Sequence, residues 1–301
     1  MKVAVINVER LSKYLAFEHW IFYKELEKLG WNIIDLNSEN LKNTISQSHA
    51  VLFGTYDELA FDLRGYRGLT IYKLDDLHYF SDEILKQRAG IIGSSDIIIC
   101  PYQYIFHHYY AHDNVWWVPY SCADKFIPDF NENPEPRILV TGASYPCYPF
   151  RNHLFGLDDN RIAKLNHPGY QRKYHDRDKC VGYDYFRLLN RYLCCFTDAS
   201  IYRYVLLKNF EIAGSGSLLL TDDSIIEPMG KLGFIDGVNC IFSNLNNVRE
   251  KIAWILDARN RDEIDKIRIN GMKLVKKYHL TSIRARSFDG RLQNHLHARG
   301  G

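Results

Sequence analysis

Short runs of aliphatic and β-branched residues alternate with helical stretches along the whole chain. That alternation limits the fold more than any other feature. Residues 2–8 (KVAVINV) open the series, and WNIIDLN, HAVLFGTY, LTIYKLDD (69–76), SDIIICPY (95–102) and NVWWVPY (114–120) continue it. A helix is expected over 15–29, closed by Gly30 as its C-cap, and a polar one near 39–48. Parallel strands need long crossover connections, so strands separated by helices predict a doubly wound parallel sheet.

The series then breaks. Residues 121–137 (SCADKFIPDFNENPEPR) carry three prolines and few apolar side chains, and 121–135 read as a linker. A second series starts at 137–142 (RILVTG) and runs through KLNHPGY, a strand at 192–198, SLLLTD and NCIFS. Helices are expected near 183–191, 201–213, 247–258, 261–278 and 279–296. The expected fold class is α/β, with two Rossmann-like domains in tandem. The first covers 1–120 and the second 136–278, with a C-terminal helical segment at 279–301 placed to pack back on the first. A length of 301 residues suits two domains of this size.

Composition removes other classes. Nothing approaches 18 consecutive apolar residues, so no integral membrane segment is expected. The N-terminus lacks a signal-peptide core and reads as a first strand. The seven cysteines show no Cys-x-x-Cys spacing, which fits buried thiols in a reducing, cytoplasmic compartment better than a metal or redox site. Residues 1–130 hold 12 Lys+Arg and 17 Asp+Glu, whereas the remainder holds 26 and 19. The basic half is therefore where an anionic ligand is expected. Overall charge is only +2, which argues against a groove tracking nucleic acid, so no nucleic-acid partner is expected.

Candidate site residues cluster in that second half. Lys208 and Glu211 share a helix face. The ammonium suits a diphosphate and the carboxylate a ribose diol, although a plain surface ion pair fits the same spacing. Gly214-Ser215-Gly216 follows and reads as a turn small enough for a ligand to approach the backbone. Gly142 and Ser144 stand at the end of a first strand, where backbone N–H groups could meet a phosphate. Arg151, near the next helix start, could grip it bidentately. Ser200 and Arg203 are expected at the N-terminus of the 201–213 helix, another place for an anion. His167 and Tyr170 follow a short strand, where a nucleobase could be read or stacked. In the first half, Asp76 and His78 end the fourth strand and suit general-base work on an acceptor hydroxyl. Glu18, His19, Asp57 and Glu58 are weaker candidates of that kind. No metal ligand set is spaced as a site.

The segments VPYSCADKFIP, RILVTGASYPCYPFRN, YDYFRLLNRYLCCFTDAS, KNFEIAGSGSLLLTDD, LGFIDGVNCIFSN and KKYHLTSIRARSF together resemble GT-B type glycosyltransferases of the group 1 class, in the CgeB-like branch. The resemblance implies two Rossmann-like domains facing a central cleft. It implies transfer of a sugar from a nucleoside-diphosphate donor (UDP- or GDP-linked) to a glycan or glycoconjugate hydroxyl, without an obligatory metal or other cofactor. It places Glu211 on the donor ribose and Arg151 and Lys208 on the diphosphate. The fuller retaining pattern has a second Glu eight positions before Glu211. Here that position is Arg203. A nucleotide-sugar-binding protein without turnover, or a sugar-nucleotide epimerase on the same fold, remains an alternative. A dinucleotide oxidoreductase fits least, because neither half has GxGxxG after its first strand.

Overall fold

The computed structural model describes residues 1–13, 17–54, 63, 65–78, 81–167, 173 and 181–300. The chain forms two units, one of Met1–Pro119 with Ser282–Gly301 and the other of Tyr120–Thr281.

The first unit runs β1 (Lys2–Ile6), α1 (Val8–Lys13), α2 (Phe17–Lys28), β2 (Trp31–Asp35), α3 (Leu41–Ser46), β3 (Ala50–Gly54), β4 (Leu69–Lys73), α4 (Asp82–Ser94), β5 (Ile97–Cys100) and β6 (Val115–Trp117). All strand pairs are parallel, in the order β2-β1-β3-β4-β5-β6. Every residue of β3 and β5 is buried, which is why these strands read as unbroken apolar runs rather than as alternating ones. Gly30 sits at φ +83°, the left-handed conformation that ends α2.

The C-terminal helix (Thr281–Gly300) completes this unit's core from Ser282 onward. Ala285, Phe288 and Leu292 recur at helical spacing and are buried in the cluster that holds Trp31 and Trp116. Trp31 donates through Nε1 to Asp289 at 2.7 Å, and its ring lies 5.8 Å from that of Phe288.

The second unit runs β7 (Glu135–Gly142), α5 (Pro149–Gly156), β8 (Ile162–Asn166), α6 (Gly182–Arg191), β9 (Tyr192–Thr197), α7 (Leu207–Gly214), β10 (Leu218–Asp222), α8 (Ile226–Lys231), β11 (Ile241–Ser243), α9 (Val248–Leu256) and α10 (Arg261–Tyr278). Its five strands are parallel in the order β11-β10-β9-β7-β8. The core lies between this sheet and the inward faces of α5, α9 and α10.

Three expectations change. The stretch read as a linker is packed into the second unit. Cys122, Ala123 and Phe126 are buried, and the Phe126 ring stands 5.9 Å from that of Phe186. The helix expected at 201–213 begins only at Leu207. Ser200 and Arg203 hold φ values of +59° and +56°, which no α-helix allows, so the chain turns sharply before α7 starts. The Gly214–Ser217 turn lies at the amino end of β10, away from the side where parallel sheets bind ligands. A Cβ on Gly214 would stand 2.5 Å from Cys122 Sγ, and Ser215 and Ser217 are buried. Its small residues serve close packing, not ligand approach.

Candidate functional site

In a parallel α/β sheet the carboxyl ends of the strands face the ligand. In the second unit β7 ends at Thr141 and Gly142, and four of the expected residues meet there. Lys208, in the first turn of α7, donates through Nζ to the Thr141 carbonyl at 3.1 Å. Gly142 has φ +120°, and a Cβ built on it would fall against Lys208 Nζ and stand 2.7 Å from Arg151 Nη1. A side chain there would have to displace one of the two cations, at a φ that favours glycine. His167 follows β8 directly. Partial burial, with the Lys208 and Arg151 charges next in importance, lowers its pKa to about 4, so the ring is neutral at pH 7.

Arg151 differs from its expected role in one respect. Its side chain is only 3% exposed. Nη2 donates to Asp198 at 2.6 Å, Nη1 donates to the Ala143 carbonyl at 2.8 Å, and the guanidinium lies 4.0 Å from the Tyr148 ring centre. Asp198 also accepts from the Arg151 backbone N–H at 3.0 Å. The guanidinium faces are thus occupied by protein, and what Arg151 offers a ligand is charge rather than a bidentate grip. Asp198 is fully buried, and burial pushes its carboxyl up, with Arg151 opposing the shift.

Glu211 lies one turn beyond Lys208, beside Tyr185 and Cys122. Burial raises both of those groups, and the Glu211 charge adds to it. Tyr185 and Thr141 share a hydrogen bond of 3.0 Å between their hydroxyls. The α7 register is fixed from beneath by Asn209, which donates to the Leu206 carbonyl at 3.0 Å and accepts from Thr221 at 2.9 Å. Asp198, Tyr185 and Asn209 were not singled out in the sequence. Their signal is a polar residue inside or just after an apolar strand or helix face.

The remaining expected residues stand apart. Ser144 is exposed in the loop after β7. The buried Ser200 uses its hydroxyl to accept from Tyr202 N at 3.2 Å, and Arg203 is exposed on that left-handed turn. Tyr170 lies outside the described residues, as do Asp57 and Glu58.

In the first unit Asp76 and His78 follow β4. Asp76 opens to solvent at the residue level. Crowding by protein around its carboxyl, and then the neighbouring Asp75 charge, push it up to about 7. Arg88 donates to the Asp76 carbonyl at 2.7 Å. His78 is lowered by burial and then by the Arg88 charge. Beside them His19, on α2, stands between Lys73 and the carboxylates of Glu18 and Asp75.

Two units, each a parallel sheet flanked by helices, give the chain a GT-B-like fold. Solved structures share it. A sucrose-phosphate synthase from Thermosynechococcus elongatus matches with TM-score 0.68 and 12% identity, over 99% of this chain and 100% of that one. Anabaena Alr3699/HepE, solved with UDP and glucose, matches with TM-score 0.68 and 10% identity, over 97% and 99%. An α-glucosyltransferase in complex with UDP matches with TM-score 0.64 and 9% identity, over 97% and 100%. At such identities the likeness shows the fold. The glycosyl transferase-like family model matches residues 126–289, more than half of the chain, and the chain belongs to that family. Among curated proteins no sequence matches it. No helix of the described residues is long and apolar enough to cross a membrane.

Proposed function

We propose that the protein transfers a sugar from a UDP-linked donor to a hydroxyl of a glycan or glycoconjugate, without a metal ion. The observation that carries this reading is the meeting of Lys208, Arg151 and His167 around Gly142 at the end of β7. Arg151 is already paired with Asp198 and His167 is neutral at pH 7, so the cationic group a diphosphate would meet there is Lys208, beside the Arg151–Asp198 pair. A diphosphate fits, with Lys208 as the point-charge partner and the first turn of α7 supplying N–H dipoles. Glu211, three residues on, accepts from the ribose diol. That two of the similar structures hold UDP supports UDP as the nucleotide.

As the glycosidic bond breaks, negative charge grows on the departing diphosphate. The fixed charges of Lys208 and Arg151 stabilise it there more than in the ground state, which is what accelerates the step. Asp76 and His78 mark the first unit's strand ends as the acceptor side. Calorimetry and thermal shift with UDP, GDP and UDP-glucose test the reading. UDP is expected to bind and to raise the melting temperature by mass action. A protein that binds none of them does not fit it. Release of UDP from UDP-glucose separates an enzyme from a binding protein, and formation of an epimeric nucleotide-sugar would reveal an epimerase.

A further inference from the structure

Helix α7 carries a residue that its packing does not require. Asn209 is fully buried on a helix whose other buried residues are Phe210, Ile212, Ala213 and Gly214. A buried amide costs free energy unless it is hydrogen-bonded, and asparagine is a poor helix former. Both ends of this amide are engaged. Nδ2 donates to the Leu206 carbonyl at 3.0 Å, and Oδ1 accepts from Thr221 Oγ1 at 2.9 Å. Thr221 is itself fully buried, one residue before β10 ends. The N-cap residue Leu206 supplies no side-chain bond, so Asn209 holds the first turn from within rather than a cap from outside. Its neighbour Lys208 holds a different strand, through the Thr141 carbonyl of β7 at 3.1 Å. Successive helix residues stand about 100° apart around the axis, which is how adjacent side chains reach two strands. Two anchors on two strands fix where the first turn of α7 sits and also how the helix is turned about its axis. Lys208 and Glu211, three residues apart, share a face and turn together.

We propose that Asn209 is a positioning residue for the donor site. Held by Thr221, it sets the rotation of α7, and so the direction in which Lys208 and Glu211 meet a nucleoside diphosphate. The inference rests on the glycosyltransferase reading given above, and all of its residues lie in the second unit. Without the Thr221 bond the chain keeps its Lys208 tether, but α7 can roll about that single point. The phosphate contact and the ribose contact then no longer line up together. Affinity falls although both side chains are still present.

The sheet supplies a matched control. Thr197 on β9 is the register partner of Thr221, so the two side chains stand on the same face of the sheet. Thr197 is as deeply buried, yet its Oγ1 has no hydrogen-bond partner among the described residues. The two threonines match in depth and in level on the sheet, and they differ in the bond to Asn209. Replacing an unsatisfied buried hydroxyl by a methyl group of the same shape is nearly neutral. Removing Thr221 Oγ1 instead leaves the buried Asn209 carbonyl without its donor.

The test is calorimetric titration of UDP into the full chain and its variants. Thr221→Val is expected to weaken UDP by about 10-fold, and Thr197→Val to stay within about two-fold of the parent. Thr221→Ser keeps the hydroxyl and is expected to rescue the affinity. A double-mutant cycle separates positioning from a general loss of structure. If Thr221 and Asn209 act through the placement of Lys208, the losses in Thr221→Val and Lys208→Met overlap. The double variant then binds clearly better than the product of the two single losses. Losses that multiply, unchanged UDP affinity in Thr221→Val, or an equal loss in Thr197→Val overturns the proposal. Where Thr221→Val does not fold, Asn209→Ala takes its place in the cycle and is read against the same outcomes. Failure of the parent chain to bind UDP counts against the glycosyltransferase reading instead. Parent-like binding by Thr221→Val beside weakened binding by Lys208→Met counts against the Asn209 role alone.

Discussion

Arg151 and Asp198 form a buried ion pair 2.6 Å long, joining the start of α5 to the end of β9. The two residues are 47 apart in sequence, and the backbone N–H of Arg151 adds a second bond to the same carboxylate. Asp198→Asn leaves a guanidinium buried without its counter-charge. The expected loss of unfolding free energy is about 3–5 kcal/mol, measured by urea denaturation. A double replacement of both residues by leucine should recover much of it. A double variant no better than the single would mean that the pair is valued for more than charge balance.

Gly142 is the point where backbone and cations come closest. Gly142→Ala puts a Cβ against Lys208 at a φ that side chains rarely adopt. Lys208 can swing away, but Arg151 is locked. The expected cost is about 1–3 kcal/mol of stability from the backbone alone. Displacement of the ammonium is expected to weaken UDP binding as well. Unchanged UDP affinity in a folded Gly142→Ala variant would separate this junction from the ligand.

His167 carries a pH signature. Its pKa is depressed to about 4 in the folded chain, against 6.5 for an unperturbed histidine. Between those values the unfolded chain binds the proton and the folded chain does not. The His167 contribution to stability is therefore intact above pH 6.5 and is lost progressively as pH falls toward 4. His167→Gln should flatten that part of the profile relative to the parent chain. A bound diphosphate would raise the His167 pKa, so UDP binding near pH 5.5 should take up protons, detected by calorimetry in buffers of different ionisation enthalpy. Binding without proton uptake would place the diphosphate elsewhere.

Much of the architecture was legible because buried parallel strands read as plain apolar runs, as in Ile97–Cys100 and Leu218–Leu220. Helix α4 was not, since only Arg88 and Ile92 of its 13 residues are buried and its apolar pattern is thin. The start of α7 was read too early because Tyr202, Tyr204 and Val205 continue its apolar spacing, while the two left-handed residues leave no compositional trace. In the site, Lys208 and Glu211 were legible through local spacing and their resemblance to a family segment. The Asp198 partner of Arg151 was not, because it comes from 47 residues away through sheet order. The Gly-Ser turn was misread because small residues mark close packing as readily as ligand approach.

Glu211 distinguishes nucleoside from phosphate recognition. Glu211→Gln is expected to weaken UDP by about 10-fold or more, in line with one hydrogen bond to a charged group, and to leave inorganic pyrophosphate affinity nearly unchanged. Equal losses for both ligands would remove the ribose role.

Calorimetric titration of UDP into the parent chain and into Lys208→Met bears most directly on the second unit as the nucleoside-diphosphate site. UDP should bind the parent chain, with affinity falling as salt rises. Lys208→Met should lose at least about 10-fold, because a lost charge-assisted hydrogen bond is worth roughly 1.5–3 kcal/mol. Equal affinity in the two proteins, or no binding by the parent chain, would contradict the assignment.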